Sequence, residues 1–315
     1  MRSYTVVGLG AIGGYYGAQL HQAGHAVRFL ARSDAAFTKE HGLRVDSPKG
    51  DAMLTVEVYD DARDIHPSDT IIVATKTTTN PHIAELVHQL VDASANTPSV
   101  LVMQNGLGVE AVFAEAAPAS AVMGAMCFIC CHKVGPGYLR HLDYGAVTVG
   151  EYTADGHPAG HTEAVESVVS DFVEAGVSAS SVSDLETGRW QKLVWNMPFN
   201  GLSVVYDALT DELVRDPAIR ARAASIMGEV VAAADACGRG FDPQFADRML
   251  SNTDLMTPYL PSMKIDHDAG RPLELNAIYA EPIAQGRAAG VPMHECAALL
   301  AELRDLDAPR PSSKR

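Results

Sequence analysis

Short apolar runs alternate with longer amphipathic stretches over the first third of the chain. "SYTVVGLG", "HAVRFLAR", "TIIVATK" and "PSVLVMQN" read as buried strands. "AIGGYYGAQLHQAG", stopping at Gly24, and "NPHIAELVHQLVDA" carry the spacing of amphipathic helices. Strands that alternate with helices of this length build right-handed βαβ units around a parallel sheet. "GLRVDSPKGDAMLTVEVYD" interrupts the alternation and reads as a small hairpin turning at "SPKGD".

Beyond Ala121 the pattern changes. "AVMGAMCFICCHK", "GYLRHL" and "AVTVGEY" read as successive strands, the first two joined by the turn "VGPG". A helix over His161–Ala175 and a short strand "GVSASSV" follow. From Asp184 onward the signals are almost only helical. "SDLETGRWQKLVWN" opens with an N-cap from Ser183 or Asp184, and "AIRARAASIMGEVVAAADACG" is a long helix closed by Gly238. "LELNAIYAEPIAQGRAAG" and "MHECAALLAELRDL" are the last helices, and the tail "APRPSSKR" is expected to be disordered. The boundary falls near residue 183, giving segments 1–183 and 184–315. The fold class is α/β, a parallel-sheet domain followed by an all-helical domain.

With 315 residues and 47% hydrophobic composition, the chain has material for two cores. A formal net charge of −15 argues against nucleic acid, which wants a basic face. An anionic substrate would have to be attracted by local Lys and Arg. A strand-like run beginning at Tyr4 leaves no room for a signal peptide, and no apolar run is long enough for a membrane helix. Five cysteines, three of them in one apolar run, read as reduced thiols. A cytoplasmic protein without a membrane partner is expected. The oligomeric state stays open, with a homodimer as the candidate assembly.

"GLGAIGG" sets Gly8, Gly10 and Gly13 in the GxGxxG spacing, after a strand and at the start of a helix. Gly8 allows the tight turn, Gly10 lets a pyrophosphate approach the backbone, and Gly13 lets the helix pack on the strand. The helix start at Ala11 and Ile12 then offers unpaired N–H groups to phosphate. The next strand ends in "FLARSD". Arg32 at that tip suits a 2′-phosphate, so NADP is favoured over NAD, and Asp34 is better placed as an N-cap. Lys76 in "ATK" and Asn105 in "MQNG" lie at the carboxyl ends of two further strands, where open parallel sheets bind ligands.

"WQKLVWNMPFN" aligns Lys192, Asn196 and Asn200 at i, i+4, i+8 on one stripe of an otherwise apolar helix. Trp195 and Phe199 flank the stripe on one side, Leu193 and Met197 on the other. Two readings remain: a snorkelling Lys with two hydrogen-bonded amides, or a rigid set of groups facing a substrate.

Taken together, "GLGAIGGYYG", Arg32, Lys76, "QNGLG", "KLVWNMPFN" and Ser262 with Glu274 resemble the ketopantoate reductase (2-dehydropantoate 2-reductase) family over nearly the whole chain. The resemblance implies a Rossmann domain and a helical domain with the active site in the cleft between them. It also implies NADPH-dependent reduction of ketopantoate to pantoate, on the route to pantothenate. Lys192 would be the general acid and Glu274 the acid that takes the substrate hydroxyl. Asn105, Asn196, Asn200 and Ser262 would contact substrate. Gly8, Gly10, Ala11, Ile12, Gly13, Arg32, Lys76 and Asn105 would line the cofactor.

The chain departs from the family after Asn200, where it reads "GLSVV", and after Glu274, where it reads "LNAI". Both departures lie on the substrate side, so another short 2-oxo acid would satisfy the same groups. A 3-hydroxyacid dehydrogenase of similar build is one rival, opposed by "QNG" and the second in-line Asn. A non-catalytic NADP-binding sensor is another; it would not need Lys192 and Glu274. Glu274 by itself also reads as a plain helix N-terminal acid. "CFICCHK" contains Cys-x-x-Cys without a second ligand pair, and His294-Glu295 lacks a second His, so no metal is expected.

Overall fold

The computed structural model describes residues 1–240, 242 and 244–308; the tail expectation for "PRPSSKR" lies outside them. The chain divides into two compact units. The first comprises residues 1–105 and 109–188, the second residues 106–108 and 189–315.

The first unit runs β1 (Ser3–Val7), α1 (Ala11–Gln22), β2 (Ala26–Leu30), α2 (Ala35–His41), β3 (Leu43–Asp46), β4 (Ala52–Leu54), β5 (Glu57–Tyr59), β6 (Thr70–Val73), α3 (Asn80–Asp92), β7 (Ser99–Val102), α4 (Ala111–Ala116), β8 (Val122–Gly135), β9 (Tyr138–Glu151), α5 (Glu163–Glu174) and β10 (Ala179–Ser181). One sheet holds these strands in the order β4-β3-β9-β8-β7-β6-β1-β2-β5, with β10 also on β9. From β5 to β8 every pairing is parallel. The chain leaves β1 for β2 on one side and returns to β6 on the other. The order therefore reverses at β1, the switch point where doubly wound sheets bind ligands. The all-apolar runs follow from burial on both faces. Val6, Phe29, Ile72, Leu101 and Phe172 are fully buried. Each such side chain contributes roughly 1.5–3 kcal/mol of burial.

Three local expectations differ from what forms. The hairpin is confined to β3 and β4, with Ser47–Asp51 as its turn, where the Gly50 amide reaches the Ser47 carbonyl at 2.9 Å. β5 instead joins β2 in parallel. "GYLRHL" and "AVTVGEY" form one strand, β9, because bulges absorb the polar "DYG" without ending the pairing to β8. Finally, Asp34 stands at the start of α2 without capping it. Its carboxylate pairs with Lys133 at 2.5 Å and accepts from the Ser33 hydroxyl at 3.0 Å.

Helix α6 (Leu185–Tyr206) begins at the end of the first unit and carries most of its length in the second. Asp184, not Ser183, caps it, accepting from the Thr187 amide at 3.1 Å and hydroxyl at 2.6 Å. Then come α7 (Thr210–Arg215), α8 (Pro217–Ala236), α9 (Phe245–Asp254), α10 (Ser262–Asp268), a π-helical turn over Asn276–Ala280, α11 (Glu281–Ala288) and α12 (His294–Asp307). The core is built from Trp190, Met197, Phe199, Ile226, Tyr279 and Leu299. Among the described residues, no helix is long and apolar enough to cross a membrane.

Candidate active site

In the first unit the glycine loop follows β1 directly. Gly8 has φ of +109°, and a Cβ there would lie 2.9 Å from Thr75 Cγ2, so the turn and the approach to β6 both require glycine. A Cβ at Gly13 would meet Ala74 Cβ at 2.9 Å and Val6 Cγ1 at 3.0 Å, which is the close packing of helix on strand. Gly10 differs: a Cβ there would meet nothing within 4 Å. It starts α1 with no side-chain cap and no acid in the first turn, so the amides of Ala11, Ile12 and Gly13 open onto space. This uncapped N-terminus fits the phosphates of a dinucleotide.

The neighbouring strand ends feed the same place. The Gly8 amide bonds the Leu30 carbonyl at 3.0 Å, which sets the loop beside the end of β2. Arg32 follows and is exposed. Lys76 precedes the single turn Thr77–Thr79, and its carbonyl accepts from the Thr79 amide at 3.1 Å and hydroxyl at 2.8 Å. Sequence reasoning missed the groups that hold this loop. Gln104, 3% exposed, donates to Asn80 Oδ1 at 2.6 Å and to the Thr75 carbonyl at 3.0 Å, and Asn80 donates back to Gln104 Oε1 at 3.1 Å. This network ties the loop bearing Lys76 to the segment bearing Asn105. The one available signal was an amide beside Asn105 in "MQNG", too short to name its partner.

In the second unit α6 presents the stripe. Lys192 is half-buried, while Asn196 and Asn200 are 6% and 2% exposed. Each step of four residues advances about 6 Å along the helix. The ammonium-bearing residue thus sits nearer solvent and the amides deeper. Trp195 stacks on Phe199 with ring centroids 5.0 Å apart and donates its indole N–H to Thr253 at 3.1 Å. Asn200 Oδ1 faces the Met263 amide at 3.5 Å, which brings the end of the stripe to the first turn of α10, where Ser262 lies. Lys264, 5% exposed, fixes α10 through Asp207 at 2.7 Å and through Asp268. Burial alone lowers the Lys264 pKa, but the two carboxylates outweigh it and the net shift is upward. Glu274, 5% exposed, directly precedes the helical run that leads through the π-helical turn into α11, and its carbonyl accepts from the Ile278 amide at 3.2 Å.

The tripeptide Gly106–Gly108 belongs to this unit. A Cβ at Gly106 (φ +107°) would lie 2.5 Å from Ala277 Cβ, and the Leu107 amide bonds the Ala277 carbonyl at 2.9 Å. The glycine of "QNG" is thus set by contact with the π-helical turn, not by the turn chemistry of Asn-Gly alone.

Elsewhere in the first unit, His25, Asp171 and Glu174 bring ligand atoms within 4.8 Å of one another. His25 Nδ1 accepts the Arg2 amide at 3.3 Å, and the Arg2 guanidinium lies 3.7 Å from Asp171. The guanidinium supplies the positive charge that a metal would bring.

A dinucleotide cradle at a switch point and a helical unit with an in-line Lys-Asn-Asn stripe define an oxidoreductase of Rossmann type. The family model described as "Ketopantoate reductase PanE/ApbA" matches residues 4–154, and its C-terminal counterpart matches residues 184–307. The chain therefore belongs to the ketopantoate reductase family. It is 44% identical to a 2-dehydropantoate 2-reductase of Nostoc sp. over 97% of this chain and 95% of that protein. The solved 2-dehydropantoate 2-reductase of Geobacter metallireducens is 36% identical, with a TM-score of 0.90, covering 96% of this chain and 99% of that one. A D-mandelate dehydrogenase solved with NADH and anilino(oxo)acetate shares the fold at 22% identity and a TM-score of 0.85, covering 97% and 98%.

Proposed function

We propose that this chain reduces a 2-oxo acid to the 2-hydroxy acid with NADPH, with ketopantoate as the substrate. That would place it on the route to pantothenate. The observation that carries this reading is the burial gradient along α6, a half-buried Lys192 in line with two buried amides. Such a row holds one proton donor and two neutral orienting groups at fixed spacing.

Gly8, Gly10, Ala11, Ile12 and Gly13 would hold the pyrophosphate, and Lys76 and Asn105 would flank it. The fold alone does not select the cofactor, since a neighbour of the same fold was solved with NADH. Arg32 supports NADPH: it is exposed at the tip of β2, while the nearby acid, Asp34, is already paired with Lys133. When bound, the reduced nicotinamide supplies a hydride to the carbonyl carbon. Lys192 then gives a proton to the oxygen as its negative charge develops, and regains one from solvent. Asn196 and Asn200 orient the keto and hydroxyl groups without adding charge. Ser262, at the start of α10, contacts the carboxylate, and Glu274 accepts the substrate hydroxyl.

The test follows NADPH absorbance with purified protein and a panel of 2-oxo acids. Preference for ketopantoate upholds the reading. Turnover of another 2-oxo or 3-hydroxy acid retains the chemistry and replaces the substrate. Tight NADPH binding without turnover of any of them overturns it in favour of a sensor.

A further inference from the structure

Helix α6 contains Pro198, which cannot donate to the carbonyl four residues earlier. The next part of the helix is held from outside. Tyr279, fully buried, donates its hydroxyl to the Met197 carbonyl at 2.7 Å. That carbonyl is also the ordinary α-helical acceptor for the Gly201 amide, and a backbone oxygen can accept two hydrogen bonds. The hydroxyl is thus fixed to the helix ladder at Met197, beside Gly201. Space for it exists only because residue 201 is glycine: a Cβ there would lie 2.6 Å from the Tyr279 oxygen and 2.7 Å from Leu299 Cδ2.

Tyr279 itself lies on the π-helical turn Asn276–Ala280. Pro282 offers no N–H to Ile278, which removes one α-helical bond and favours the wider ladder there. Two residues before Tyr279, Ala277 receives Gly106 and Leu107. Three residues before Ala277 stands Glu274. One unusual turn therefore touches α6 at Met197, the segment following Asn105 and the segment of Glu274.

We propose that Tyr279 is a positioning residue. Its hydroxyl, bonded to α6 at the Met197 carbonyl between Asn196 and Asn200, sets the relative placement of these groups and of Lys192 for the reduction. The proposal rests on the reading of Lys192 and the two amides given above. Burial raises the Tyr279 pKa well above its ordinary value, so the phenol stays a neutral donor.

Tyr279→Phe keeps the ring and removes only the hydroxyl. The expected result is a kcat lower by roughly 10- to 100-fold, the scale of a small misplacement of reacting groups. The KM for the 2-oxo acid should rise while the dissociation constant for NADPH stays unchanged. A merely structural role would lower the thermal midpoint and leave kcat per folded enzyme as it was, and that result overturns the proposal. Amide hydrogen exchange over residues 193–204 gives a readout independent of turnover. Faster exchange there in Tyr279→Phe, with the residues of β1, β6 and β7 unaffected, supports the hold of this bond on α6; unchanged protection overturns it. If the unaltered protein reduces no 2-oxo acid, the functional reading fails on that assay, and the hold of Tyr279 on α6 is still decided by exchange.

Discussion

Gln104 and Asn80 exchange two amide hydrogen bonds, at 2.6 Å and 3.1 Å, between the segment that follows β7 and the first residue of α3. Neither residue is a proposed ligand contact, yet each stands next to a segment that carries one. Asn80→Ala removes both bonds from a nearly buried amide. The expected cost is about 1–3 kcal/mol, read as a lower midpoint in denaturant. NADPH affinity should weaken as well, because the loop holding Lys76 loses its anchor. Unchanged affinity in titration calorimetry would mean that the pair is structural only.

The open space at Gly10 and the crowding at Gly13 separate binding from folding. Gly10→Ala should retain the thermal midpoint, since its Cβ meets nothing. It should weaken NADPH binding by filling the path of the pyrophosphate. Gly13→Ala should lose both binding and stability, the latter by roughly 1–3 kcal/mol of overpacking. Equal effects of the two changes, measured by thermal shift and cofactor fluorescence, would contradict the assigned roles.

Lys192→Ala should cut turnover by about 10²- to 10⁴-fold, the usual range for a lost proton donor, while NADPH affinity is preserved. Turnover close to that of the unaltered protein would remove Lys192 from the mechanism.

Arg32→Ala should weaken NADPH far more than NADH. Competition between the two cofactors in steady-state assays reads this directly. An equal loss for both would show that Arg32 does not meet the 2′-phosphate.

His141 and His132 give the first unit an acid-sensitive component. Burial lowers both pKa values below the ordinary histidine range; Arg140 adds to the shift at His132, and backbone hydrogen bonds partly offset it at His141. The neutral His141 ring donates to the Asp143 and Tyr144 carbonyls at 3.0 Å and 3.2 Å, and its Nδ1 meets the Ser47 hydroxyl at 2.8 Å. With folded values depressed, the stabilisation is complete above the unfolded pKa of about 6.5 and is lost as pH falls through the folded values. The thermal midpoint should therefore drop on acidification from about pH 7 towards 5. His141→Gln should flatten part of that slope; an identical slope in the variant would exclude His141 as a contributor.

The patterns legible in the sequence are those set by short-range physics. Alternating apolar runs and amphipathic stretches specify strands and helices through periodicities of two and 3.6 residues. The spacing of Gly8, Gly10 and Gly13 specifies a turn, an approach and a packing contact within one βα unit. The alignment of Lys192, Asn196 and Asn200 follows from helix geometry alone. Asp34 shows the limit: its place at a helix start is local, but its partner, Lys133, lies on β8 and takes the carboxylate away from capping. The same holds for the bulged β9, whose polar residues resemble a loop until pairing with β8 is known. What holds the candidate site is likewise far away along the chain. Tyr279 reaches Met197 across 82 residues and Asn200 meets the amide of Met263 across 63. The sequence by itself determined which chemical groups the chain owns and which short segments carry them. Only the tertiary structure decided what buries and orients those groups, because contacts between distant residues leave no period in a single sequence.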